Sequence, residues 1–296
     1  MSMFLTDSRD IQLTLNGFPL YGVDDTGCEW HTTFQDVTGL FDGVGSTLKP
    51  EEKAMTDGWY ANLPRLHGRT ITIEGHIIGR CTESCVNAWN AFKSVLDPGG
   101  MLLIARLGDI GRQVRVWQSS SAPLVKWAGV NMLHFSLGLT ALSPYLYGLD
   151  SVSGVSLLPS SSGGMSFPYH FEGAGGSLSS WVWSEDVVSG RVVLNNVGTA
   201  PSPVMIRIDG PVVNPQVLHV GSGHVMSFNM SLGIGHYATV NGVTHEILVD
   251  GTDPARGRVT RREWSQAEPG VNGWGFNAGE YSDTARMTVS FYPAYL

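Results

Sequence analysis

Residues Leu133–Gly148 read LHFSLGLTALSPYLYG. Leu133, Phe135, Leu137, Leu139 and Ala141 alternate with His134, Ser136, Gly138 and Thr140. A period of two marks a strand with one face in a core. A run this long crosses a whole sheet, so the chain around it must supply other strands to pair with it. Ser143-Pro144 ends the run, because proline cannot donate to a strand ladder. Beyond Gly148 the composition turns to Ser, Gly and Pro. The strand therefore closes a first unit, 1–149, and a second spans 150–296.

The chain has 296 residues, room for two cores. It holds 37 Gly and 15 Pro among many short alternating runs, which predicts a mainly β protein rich in turns. Charged residues make up 15%, against about 25% in ordinary soluble domains. With nine Trp and nine Tyr, such a surface suits either coverage by partners or the Ser, Thr and Gly bias of β-sandwiches. The net charge of −8 argues against a Lys/Arg surface for nucleic acid, while leaving room for an acidic wall past which DNA slides. Three cysteines, Cys28, Cys81 and Cys85, make no disulfide framework. The start, MSMFLTDSRD, lacks the basic and apolar regions of a signal peptide. No apolar run approaches the length of a membrane span. Synthesis in a reducing cytoplasm is the expectation.

In chain order, strands are predicted at Ile11–Leu15, Pro19–Val23, Glu29–Val37 and Gly68–Gly75. From Thr38 to Arg65, Gly and Pro break every pattern; the segment reads as an extended arm reaching a partner or as a solvated loop. Thr82–Leu96 is the best helix, with Thr82 placed to cap it and Cys85, Ala88, Trp89, Phe92, Val95 and Leu96 on one stripe. Met101–Leu107 and Gln113–Trp117 form a hairpin pair. The first unit is then a β-sandwich or partly open barrel with one packed helix. Asp150–Met165, rich in Ser and Gly, reads as the linker or as the first loose edge of the second unit. In the second unit, strands are expected at Pro168–Phe171, Ser180–Trp183, Gly190–Val197, Val204–Asp209, Gln216–Val220, Val225–Met230, Glu246–Val249 and Arg286–Tyr292. Asn241-Gly242 suits a type I′ hairpin turn within Tyr237–His245. Short, evenly spaced strands describe an antiparallel sandwich.

No nucleophile elbow and no Walker A loop is present. Gly273-Trp-Gly275 with Ala278 falls short of a dinucleotide fingerprint, lacking a strand before it and a helix after. Cys81 and Cys85, with His76 nearby, have a spacing that fits one helix face, yet a structural zinc site needs four ligands and Cys85 lies on the apolar stripe. The nine histidines look scattered. Asp24, Asp25, Glu29, Glu185, Asp186, Glu246 and Asp250 offer carboxylates that sequence alone cannot pair. Trp181 and Trp183 alternate on one strand face; they either stack on sugar rings or fill the core. No catalytic residue, cofactor or metal is assigned.

Taken in order, several stretches resemble the distal tail protein (Dit) family of long-tailed bacteriophages, also called minor tail proteins. They are Gly68-Arg-Thr-Ile-Thr-Ile-Glu-Gly75, the helix ending at Leu96, and Phe135–Ala141 closing on Pro144-Tyr145. In the second unit they are Ile206-Arg-Ile-Asp-Gly210-Pro211-Val-Val-Asn214-Pro215, Pro269–Asn272 and Ser290–Leu296. The resemblance runs over nearly the whole chain. It departs where Ser143 stands before the proline and where Gly273–Thr284 intervenes before the last strand. The resemblance implies a non-enzymatic virion protein at the tail tip, assembled in the host cytoplasm. Its first domain would be tail-tube-like and ring-forming, and its second a galectin-like sandwich. Its partners would be itself, as a homohexameric ring, the tail tube protein, the tape measure protein, and tail-tip, tail-associated lysin and receptor-binding or fibre proteins. Genomic DNA would pass through the lumen without specific binding, and no membrane is involved. A carbohydrate-binding sandwich used in host adsorption is the alternative.

Overall fold

In the computed structural model, the described residues are 11–61, 63–119, 121–162, 186–188 and 190–296. The expected strands at Pro168–Phe171 and Ser180–Trp183 lie outside them.

The alternating run forms the strand Met132–Ala141, and it pairs antiparallel with Arg69–Ile78 along its whole length, from Ile78 opposite Met132 to Arg69 opposite Ala141. Leu133, Phe135, Leu137, Leu139 and Ala141 are all buried, as the period of two requires. Outward along the sheet on one side come Ile110–Gln118, Met101–Leu107, Gln12–Leu15 and Phe18–Pro19; on the other come Glu29–His31 and Gly22–Val23. Ile110–Gln118 joins the halves: its first residues pair with Met101–Leu107, and Trp117 and Gln118 pair with Thr140 and Leu139.

The helix is Thr82–Val95 and buries Cys85, Ala88, Trp89 and Phe92 against the sheet. Its cap is Cys81, not Thr82. The Ser84 hydroxyl accepts the Cys81 N–H at 3.2 Å and donates to the Cys81 carbonyl at 2.7 Å, while Thr82 Oγ1 donates to the Val130 carbonyl. Beneath the helix Trp30 packs on Phe18, Phe92 and Phe135 with ring centroids 5.1–5.4 Å apart. Such aromatic pairs stabilise by about 0.5–1.5 kcal/mol beyond the area they bury. The glycine that ends the Gly68–Gly75 stretch follows from this packing. Gly75 stands opposite Phe135, and a Cβ there would lie 2.8 Å from the Phe135 ring and 2.7 Å from the His31 carbonyl.

The chain divides into two units: residues 1–149 with 294–296, and residues 150–293. The last three residues thus return to the first unit, where Ala294–Tyr295 pairs with Leu146–Tyr147 and the Arg112 guanidinium lies 3.4 Å over the Tyr295 ring. The second unit holds two main antiparallel sheets. One runs in the order Val152–Leu157, Arg286–Phe291, Met205–Asp209, Tyr237–Asn241, Ile247–Val249, Asp253–Pro254. The other runs Arg191–Asn196, Gly270–Asn277, Gln216–His219, Val225–Phe228, Val259–Arg262. Ile206, Ile208, Val240, Met287, Val289 and Phe291 from the first share one core with Val217, Phe228, Trp274 and Phe276 from the second.

One open expectation is resolved in this unit and two change. Of the two readings of Asp150–Met165, the edge of the second unit holds: Val152–Leu157 is an edge strand paired along its length with Arg286–Phe291. The intervening Gly273–Thr284 is in part a strand of the five-stranded sheet, since Gly270–Asn277 lies between Arg191–Asn196 and Gln216–His219. The hairpin after Tyr237–Asn241 has a longer turn than Asn241-Gly242 alone. Val240 pairs with Ile247, the left-handed residue is His245 at φ 58°, and the Asn241 side chain accepts the Val243 and Thr244 N–H groups. The polar side chain thus stabilises a wider loop in place of a two-residue turn.

Candidate assembly surface

The segment read as irregular, Thr38–Arg65, leaves the first unit as a narrow two-stranded arm. Ser46–Thr47 pairs with Arg65–Leu66, and farther out Pro50–Glu52 pairs with Trp59–Ala61. Two short ladders without a core beneath them cannot bury the arm's apolar side chains. Met55 and Leu63 are 97% and 92% exposed, and Trp59 and Tyr60 are also open to solvent.

The arm's root is held firmly. Arg69 is 4% exposed, and its guanidinium donates to the carbonyls of Pro144 and Asp42, both at 2.7 Å, and of Leu40 and Gly39 at 3.2 and 3.4 Å. Burial lowers the Arg69 pKa and the nearby Asp42 carboxylate opposes that shift. Gly39 crosses the neighbouring strand at φ 80°, where a side chain would run into the Thr70 carbonyl. One buried cation therefore ties the arm's base to the end of the long strand. In the sequence Arg69 stands out only within the Gly68–Gly75 stretch, and its inward position on a strand is the signal that marks it as buried and paired.

A second open surface is the hairpin strand Leu124–Gly129, which pairs with the first half of Met132–Ala141. Every residue of it is exposed, including Leu124 and Trp127, and Val130 in its turn is 84% exposed. Exposed apolar side chains grouped on one short strand make this a candidate contact surface. The outer face of the long strand itself carries His134, Ser136, Gly138 and Thr140, all half-buried, with Ser119 and Ser121 close to Gly138.

The other sequence candidates do not form one site. Cys85 is buried on the inner face of the helix, its Sγ 3.2 Å from the Asn131 carbonyl, and burial pushes its thiol pKa up. Cys81 is exposed, and hydrogen bonding with Ser84 pulls its thiol down. His76 lies on the outer sheet face against His134. Asp24 is buried: burial raises its pKa, and hydrogen bonds from Thr26, Trp30 and Cys28 outweigh it and leave the carboxyl below its ordinary value. Asp250 accepts from His236 Nδ1 at 2.7 Å and the Tyr237 N–H at 3.0 Å, so it shapes a turn. Trp181, Trp183 and Glu185 lie outside the described residues. In the second unit, Asn272 pins the Pro269-Gly270 turn: it accepts the Glu268 N–H and donates to the Glu268 and Gly270 carbonyls.

No protein-family model matches the chain, and no curated protein does. The fold is similar to the crystal structure of the SPP1 Dit (gp 19.1) protein, described as a paradigm of the hub adsorption apparatus in phages infecting Gram-positive bacteria. The TM-score is 0.64 at 12% identity, over 97% of this chain and 99% of that one. The chain has the Dit fold. The phage p2 baseplate in its activated conformation aligns at a TM-score of 0.47 and 10% identity, over 83% of this chain and 90% of that one. Because the Dit match takes in both units end to end, the Dit fold accounts for the helix-bearing first unit and the two-sheet second unit alike.

Proposed function

We propose that this chain is a structural distal tail hub of a long-tailed bacteriophage, forming a ring at the tail tip. The observation that carries the reading is the Dit fold over nearly the full length of both chains. The ring would be a homohexamer formed by the first unit. It would join the tail tube protein and tape measure protein to tail-tip, lysin and receptor-binding or fibre proteins, with DNA passing through the lumen. A closed ring needs a heterologous interface, two different patches on each copy. The first unit offers two candidates: the arm with Trp59, Tyr60 and Leu63, and the hairpin strand with Leu124 and Trp127. The role is architectural, with no reaction assigned.

Native mass spectrometry of the purified chain tests the ring: six copies are expected, and removal of residues 40–64 should leave monomers. Intact hexamers after that deletion would overturn the arm's role, and a monomer at every concentration, alone and with tail-tube protein, would overturn the hub. The excess of acidic residues further suggests a lumen that repels DNA phosphates; a strongly basic lumen in a reconstruction of the ring would refute that.

A further inference from the structure

Strand register brings together histidines that are far apart in the sequence. His31 stands beside His76, and His76 beside His134, with Lys126 next in the row. Directly paired residues share a sheet face, with Cβ atoms about 5 Å apart. Here that face is the outer one, because Trp30, Ile77, Leu133 and Phe135 fill the inner face. The His76 and His134 rings meet edge to face with centroids 5.1 Å apart. Glu74, two residues before His76, shares their face: its Oε2 is 3.9 Å from His134 Nε2, and its Oε1 accepts from the Ser136 hydroxyl at 3.3 Å.

Two imidazoles on one tetrahedral ion, with metal–nitrogen distances of about 2.0–2.1 Å, have ring centroids about 5 Å apart. The two rings already stand at that spacing. A carboxylate two residues along one strand, plus an imidazole on the next strand, completes a three-ligand set from adjoining positions of one sheet face. We propose that Glu74, His76 and His134 form a surface site for a divalent transition ion of the zinc or nickel type, with His31 beside His76 as a further donor. As the side chains stand, no three such groups among the described residues converge on one point. Closure needs Glu74 to turn from Ser136 and the rings to rotate, which partly exposed side chains do readily. Mixed imidazole and carboxylate donors suit these ions better than magnesium or calcium. Near the pair on this face, Lys126 opposes a cation and Glu29, two residues before His31, favours one; Arg115 and Arg106 lie on strands farther along the same face. The inference stands on the sheet itself and is independent of the hub reading.

The test is calorimetric titration of the full chain with zinc chloride alone, and separately nickel chloride alone, at pH 7.5. One saturable equivalent per chain is expected. Affinity should fall at least tenfold in His76→Ala and in His134→Ala, fall less in Glu74→Gln, and stay unchanged in His236→Ala. Thermal melts without metal confirm that each variant is folded. Absence of saturable binding, or binding that survives both histidine substitutions, overturns the proposal.

Discussion

The long strand and the arm belong to the same unit and obey opposite rules. Met132–Ala141 alternates buried and half-buried residues with no break, because the helix and the opposite strands cover one of its faces. The arm, Ser46–Leu66, pairs its own ends and leaves Met55, Trp59, Tyr60 and Leu63 in solvent. Hydrophobic burial inside the unit fixes the strand; nothing inside the unit rewards the arm's apolar residues. The contrast separates residues that hold the unit together from residues available to hold copies together.

The strand side of the contrast breaks most sharply at Phe135. Phe135→Ala leaves a cavity between Trp30, Trp89 and Phe92 and should cost about 3–5 kcal/mol, read by urea unfolding. A loss below 1 kcal/mol would mean that the aromatic cluster does not hold the unit. Arg69→Met comes next, because it deprives buried carbonyls at the arm's root of their donor. About 1–3 kcal/mol is expected, together with faster amide exchange at 39–45 than at 133–141. Asp24 gives a pH-dependent effect. Its carboxyl is depressed in the folded chain, so its stabilisation is present above the ordinary unfolded value, about 3.9, and is lost as pH falls through the lower folded value. Asp24→Asn should lower the melting temperature at pH 6, and the gap from the parent should narrow as pH falls below about 3.9. The smallest change in stability belongs to the arm: Trp59→Ala with Leu63→Ala should shift monomer stability by less than about 0.5 kcal/mol while weakening self-association in sedimentation. A large loss of monomer stability from that pair would erase the distinction between strand and arm.

The same division explains what the sequence shows. Where a core covers one face, the period is visible: Met132–Ala141, Arg69–Ile78, and the helix stripe of Cys85, Ala88, Trp89 and Phe92. Leu124–Gly129 was missed because all its positions are exposed, and a strand without a buried face has no alternation to read. Gly270–Asn277 was missed for a different reason. Its inward positions include Asn272, whose side chain is used up on the adjoining turn, and glycines at 273 and 275 erase the contrast between faces. Val152–Leu157 sits in Ser- and Gly-rich sequence that reads equally as linker or as a loose edge, and pairing with Arg286–Phe291 decides for the edge strand. The histidine row could not be foreseen either. Positions 31, 76 and 134 are brought together by pairing between strands, which local patterns do not encode. The arm was legible as a break in pattern; its two ladders were not.

The return of Ala294–Tyr295 to pair with Leu146–Tyr147 has a consequence for modularity. The polypeptide departs from the first unit and comes back to it on two strands that lie side by side, so residues 150–293 behave as a cassette spliced into a host framework. A framework of this topology tolerates exchange of its cassette, provided the two ends of the replacement lie as close together as neighbouring strands. Joining Leu149 to Ala294 through a few glycines would give a minimal framework in which the closing strand pair is preserved.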